Sequence, residues 1–130
     1  MTQQFFVPGP LPGMNDYIST GNRFRYNTDK KQWTRLIAAR IREAKLKPMH
    51  RASIAWIWHE KTRRRDPDNF AGIGKKFILD ALVACQILPD DGWDEIAGWS
   101  DAWIVDKKTP GVTVILYGEK KFNNGEHREV

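Results

Sequence analysis

The chain has 130 residues, 41% of them hydrophobic, a formal net charge of +5 and a pI near 9.5. That suffices for one modest core and not for two, so one globular domain is expected, and the basic balance favours polyanions such as nucleic acid over an acidic membrane surface. Cys85 is the single cysteine, which excludes an intramolecular disulfide, and the sequence holds neither a secretion signal nor an apolar run of about 18 residues, so a soluble cytoplasmic protein is expected.

Gln3 to Val7 reads as a short strand, and Pro8, Gly9, Pro10, Pro12 and Gly13 turn the chain into a fixed loop. Asn15 and Asp16 can cap a helix beginning near Tyr17. From Asp29 to about Lys45, Trp33, Ile37, Ile41 and Ala44 recur at helical spacing, while Lys31, Arg35 and Arg42 gather on the opposite side. An ordinary solvated face accounts for that basic ridge better than phosphate contact does. Arg40 projects among the apolar residues, where it must snorkel, pair with a carboxylate or reach a ligand.

Pro48 ends the segment, and Ala52 to Glu60 follows as a strand apolar on both faces, hence central or covered. His59 near its end is read as structural. A second helix spans about Gly74 to Gln86, with Phe77, Ile78, Ala81, Leu82 and Cys85 on its apolar face and Lys76 and Asp80 together at the margin. Pro89 stops it, and Asp90, Asp91 and Gly92 make a turn.

Two strands close the domain, Ile96 to Val105 and Val112 to Tyr117, and the DKKTPG segment between them reads as the turn of a hairpin. Trp99 and Trp103 share a face of the first, in the manner of core or interface residues. Residues 1–118 thus form the domain and 119–130 a polar tail. The expected class is α/β: a mixed sheet of about four strands covered by two main helices.

Chemistry concentrates between Arg63 and Asp91. Pro67 pushes Asp66 into an extended conformation, and in an extended backbone Asp66 and Asp68 project to the same side. Hard cations such as magnesium bind carboxylate oxygens while keeping several waters, so this pair, joined by Asp91 or Asp90 if the fold returns them, makes a plausible metal site. Lys76 can then stabilise transition-state charge, and Arg63, Arg64 and Arg65 can hold a phosphodiester backbone without reading its sequence. Spacing alone leaves a plainer alternative equally open: Asp68 as a helix cap, Asp90 and Asp91 as turn residues.

The ordered set Asp66-Pro67-Asp68-Asn69, Lys76, Asp80-Ala81-Leu82 and Asp90-Asp91, with the arginine run before it and LPGMNDYI near the N-terminus, resembles the RusA-type Holliday junction resolvases. The resemblance covers about Phe5 to Leu116. It implies a magnesium-dependent homodimer, with manganese as a substitute metal, that places paired nicks across four-way DNA junctions, and many compact relatives are phage or prophage encoded. It assigns Asp66, Asp68 and Asp91 as the essential acids and metal ligands, with Asp90 as a further candidate, and Lys76 as the essential lysine. Asn15, Asn69 and Lys75 join the arginines as candidate DNA contacts. One departure stands out, because the spacing from Asp-x-Asp-Asn to the lysine is longer here by about four residues, roughly one helical turn.

Two other readings compete with a junction resolvase. A nuclease for flaps, branches or single strands would use the same residues, and a non-catalytic DNA-binding protein would use the basic ones alone and show steep salt dependence without a metal-dependent product. A metal-free ribonuclease lacks its usual acid and base, since the chain has only 3 histidines.

Overall fold

The computed structural model describes residues 1–18 and 23–119, and everything below concerns those residues. The elements in chain order are β1 (Thr2–Pro8), a single-turn α1 (Asn15–Ile18), α2 (Arg23–Glu43), β2 (Ala52–Glu60), α3 (Pro67–Ala84), β3 (Ile96–Val105) and β4 (Gly111–Gly118). The four strands form one mixed sheet in the order β1-β4-β2-β3, giving the expected α/β class. Of the polar tail, residues 120–130 lie outside the described part.

Strand β2 organises the sheet. Its side chains alternate strictly, with Ala52, Ile54, Trp56, Trp58 and Glu60 buried and the residues between them half-buried. The buried set meets Ile37 and Ile41 of α2 and Phe70, Phe77, Ile78, Ala81 and Leu82 of α3. Val112, Val114 and Leu116 of β4 and Phe5 and Val7 of β1 complete the same core, so both long helices lie on one face of the sheet. Trp56 and Trp58 stack with ring centroids 5.8 Å apart, and Phe70 tilts against Trp58 at 5.6 Å. Among the described residues, no helix is long and apolar enough to cross a membrane.

Two expectations are corrected. Strands β3 and β4 do not form a hairpin: β3 pairs in parallel with β2, β4 pairs antiparallel with both β2 and β1, and β2 lies between them. Val112, Val114 and Leu116 are all completely buried, which a central position provides and an outer hairpin arm would not. The segment 106–110 therefore steps across the end of β2, tied down where Asp106 N–H donates to Glu60 O at 2.7 Å and Gly9 N–H donates to Pro110 O at 2.9 Å.

Helix α3 also begins earlier than its apolar periodicity suggests, at Pro67 instead of Gly74. Proline suits a first helical position because its missing N–H would have had no partner there. Gly74 lies inside the helix because any β-carbon at that position would stand 2.7 Å from the Trp58 ring, so the glycine is what lets α3 approach β2. Residues 67–76 are thus continuous α-helix, and Lys76 stands about two turns along the axis from Asp68.

Candidate functional site

The end of β2 and the start of α3 are built around a brace. Glu60 completes the buried alternation of β2 and is only 8% exposed. Arg65 answers it with two parallel hydrogen bonds, Nε to Oε1 at 2.8 Å and Nη2 to Oε2 at 2.7 Å. A third arm, Nη1, donates to Leu11 O at 2.7 Å, and the guanidinium lies 5.7 Å from the Phe70 ring centre. Planar bidentate pairing of this kind fixes direction as well as charge. It orients the chain immediately before Asp66, and it occupies Arg65. The Arg65 guanidinium is thus engaged within the chain, whereas Arg63 and Arg64 are exposed with no ion-pair partner among the described residues.

Asp66 is the N-cap of α3, in the extended conformation expected of a residue before proline (φ −72°, ψ 151°), yet its carboxylate makes no capping hydrogen bond. Asp68 lies within the first turn, so the pair is not carried on one face of an extended strand, as the spacing suggested. Both carboxylates nevertheless border one shallow pocket of about 300 Å³, together with Met14, Asn15, Arg64 and Asn69. Among the described residues neither has a hydrogen-bond or ion-pair partner. The plainer alternative, a side-chain cap by Asp68, is not what the helix uses.

Asn69 brings Asn15 to this place. Its side-chain oxygen accepts from Asn15 N–H at 2.8 Å, its backbone oxygen accepts from Met14 N–H at 2.8 Å, and its carboxamide packs against Gly13. Asn69 therefore clamps the loop between β1 and α1. Asn15 sits inside α1 and does not precede it, and Asp16 reaches back to Gly13 N–H at 2.8 Å. Tyr17 anchors the turn by donating to Asp29 at 2.9 Å; its hydroxyl pKa is raised, first by burial and then by that carboxylate.

The two lysines of α3 diverge. Lys75 faces the sheet, donating to Asp101 at 2.7 Å with its ammonium 4.5 Å from the Trp99 ring centre. Lys76 is largely exposed and, among the described residues, its one ion-pair partner is Asp80, at 3.9 Å. Asp80 has a stronger partner in Lys30 of α2 at 3.0 Å, and the hydrogen bond to Asp80 is the main cause of the raised pKa of Lys30. Residues 68, 72, 76 and 80 share one stripe of α3, and the glycine at 72, with only Met14 Cε within reach at 3.6 Å, leaves the surface between Asp68 and Lys76 bare.

Asp90 and Asp91 lie elsewhere. They precede β3 in an exposed turn, where Asp90 Oδ1 accepts Asp91 N–H at 2.8 Å and Ile96 N–H donates to Gly92 O at 3.0 Å. Because β2 and β3 run parallel, with Ala52 opposite Ile96 and Glu60 opposite Val105, this turn lies at the start of β2 and Asp66 at its end. Nine residues of strand separate them by roughly 27 Å. Among the described residues no three Asp, Glu, His or Cys side chains come together where they could hold a metal ion. The expected ligand set of Asp66, Asp68, Asp91 and Asp90 is therefore not assembled within one chain.

A second cleft, of about 490 Å³, adjoins the first. Arg63, Asp66 and Phe70 line it from one side and Trp103, Ile104 and Val105 from the other, with Glu60 at its base. Glu60 was not singled out from the sequence, although the period-two alternation from Ala52 onward already placed it on the buried face. Across the sheet, His59 contacts Thr113 at 3.0 Å and Asp106 at 3.4 Å, in keeping with a structural role. Set against family models and against curated proteins, the sequence matches none.

Proposed function

We propose that the chain is a magnesium-dependent, structure-selective DNA endonuclease that resolves four-way junctions as a homodimer. The observation that carries this reading is the pair Asp66 and Asp68 on one pocket, unpaired with any protein cation although Arg64 borders the same pocket. Two open carboxylates fit a hard cation that retains much of its water, so Asp66 and Asp68 would hold magnesium, or manganese in its place. Held there, such an ion would supply a water of lowered pKa and neutralise charge on the phosphodiester.

The chain's own residues do the rest. Arg63 and Arg64 hold the DNA backbone at the cleft mouth, contacts that position without reading sequence. Arg65 and Glu60 keep the start of α3 fixed, and Lys76, across the bare stripe at Gly72, stabilises charge developing on the phosphate. The separation of Asp91 from Asp66 within one chain means that an Asp91 acting on the same phosphate comes from a second copy. Two-fold symmetry then gives two equivalent sites, one for each of two symmetry-related junction strands.

The deciding experiment is a cleavage panel of junction, flap, duplex and single strand with and without magnesium. Paired symmetric nicks in the junction alone support the proposal, and preference for the flap or single strand makes the protein a nuclease of another branched substrate. Metal-independent binding with no product on any substrate leaves a non-catalytic DNA-binding protein.

A further inference from the structure

The two outer strands of the sheet are finished differently. At the β1 edge, the Gln3 carboxamide donates to Lys47 O at 2.9 Å and accepts from Lys47 N–H at 2.7 Å, so the loop before β2 covers the strand, which ends at Pro8. Strand β3 has ten residues, and eight of them are exposed with no such cover among the described residues. It contains no proline, lysine or arginine, and its one charge, Asp101, is held by Lys75 and by Trp58 Nε1. Trp99, Trp103, Ile104 and Val105 stand about half exposed along it. From Gly98 to Val105, beyond a bulge at Ala97, this is a largely apolar edge whose outward N–H and C=O groups have no partner among the described residues, a template for another strand.

Charge identifies the occupant. At the Val105 end of the strand lies the basic turn with Lys61, Arg63 and Arg64, and at the Ile96 end the acidic turn with Asp90, Asp91 and Asp94. A copy of this chain docked antiparallel along β3, about a two-fold axis near Asp101 and Ala102, sets each basic turn beside the acidic turn of the other copy. The contact is isologous, so the same match occurs twice. A parallel or translated copy would set like charges together.

From this we infer that β3 is the dimerisation edge, and that two chains join there into one eight-stranded sheet with all four long helices on one side. The inference rests on the preceding reading only for the number of copies; its surface and direction come from the edge and its charges. It also brings the acidic turn of one copy toward the cleft lined by Arg63, Asp66 and Trp103 of the other.

The test is the mass of the full chain by sedimentation equilibrium, without DNA or metal, so it is read independently of cleavage. The expected result is a dimer for the native chain. Ala102→Lys, exposed and near the axis, should weaken association at least tenfold while circular dichroism shows the fold retained. Asp94→Lys and Lys61→Glu should each weaken it, and the two combined in one chain should restore it. A native chain that stays monomeric up to about 100 μM, a range that populates any micromolar dimer, overturns the inference. So does a dimer indifferent to Ala102→Lys, or a charge pair that fails to compensate. A dimer that cuts nothing would sink the nuclease and leave this edge standing.

Discussion

The molecule carries two acidic pairs, and they are set in opposite ways. Asp66 and Asp68 stand at a helix start held by the Arg65–Glu60 brace and the Asn69 clamp, with a pocket before them. Asp90 and Asp91 stand in an exposed turn whose hydrogen bonds are local. The first pair is presented by the fold, and the second is only displayed at its edge. Paired aspartates can thus stand before a pocket braced by the fold or in a turn held by local bonds.

The largest expected effect tests whether the two pairs act together. Asp66→Asn and Asp91→Asn should each lower junction cleavage by about a hundredfold or more, the scale of losing a group directed at reacting charge. Wild-type cleavage by Asp91→Asn would remove that residue from the mechanism. Mixing the two inactive variants should recover activity, because a mixed dimer retains one site with Asp66 from one copy and Asp91 from the other; sites built within single chains would gain nothing. Next comes the brace. Arg65→Met leaves Glu60 buried and unpaired and should cost about 2–3 kcal/mol in urea unfolding, whereas Arg64→Ala, exposed, should change stability by less than about 0.5 kcal/mol and weaken DNA binding instead.

The two glycines of α3 sharpen the contrast further. Gly74→Ala pushes a methyl into the Trp58 ring and should destabilise by about 1–2 kcal/mol, overpacking outweighing the gain in helix propensity. Gly72→Ala meets only Met14 Cε and should stabilise by up to about 1 kcal/mol, while lowering cleavage through the methyl it adds between Asp68 and Lys76. Both are read from thermal or denaturant melts beside activity.

The smallest effect lies on the crossover. Hydrogen bonds from Thr109 and Lys108 N–H, with His59 nearby, hold the Asp106 carboxyl below its ordinary value. A depressed carboxylate contributes stability above its unfolded pKa and loses it as pH falls through the folded one. Asp106→Asn should therefore lower the melting temperature slightly at pH 6, with the difference from wild type disappearing well below about pH 4.

Much of this architecture is legible in residue order. The alternation of β2 announces a covered strand, the spacing of Ile37 and Ile41 announces the buried face of α2, and Pro67 fixes the backbone of Asp66. The neighbours of β4 are not legible, because turn residues such as Pro110 and Gly111 suit a tight reversal but do not dictate which strand is met beyond it. The start of α3 was obscured by Gly72 and Gly74, residues that weaken a helix locally and are present for reasons of packing and open surface. Convergence within the candidate site was half legible: Asn15 could be suspected near Asp66, but the commitment of Arg65, Asn69 and Lys75 to Glu60, the α1 loop and Asp101 depends on contacts between distant segments.

The distribution of tryptophan has a spectroscopic consequence. Trp56 and Trp58, stacked and sealed between sheet and helices, should emit to the blue and resist acrylamide, while Trp93, Trp99 and Trp103, at 95%, 52% and 53% exposure, should emit to the red and quench readily. Trp103 lines the cleft beside Asp66. Occupation of that cleft by DNA, or pairing of a second copy along β3, would therefore withdraw part of the quenchable emission, giving the protein an intrinsic optical readout that needs no label.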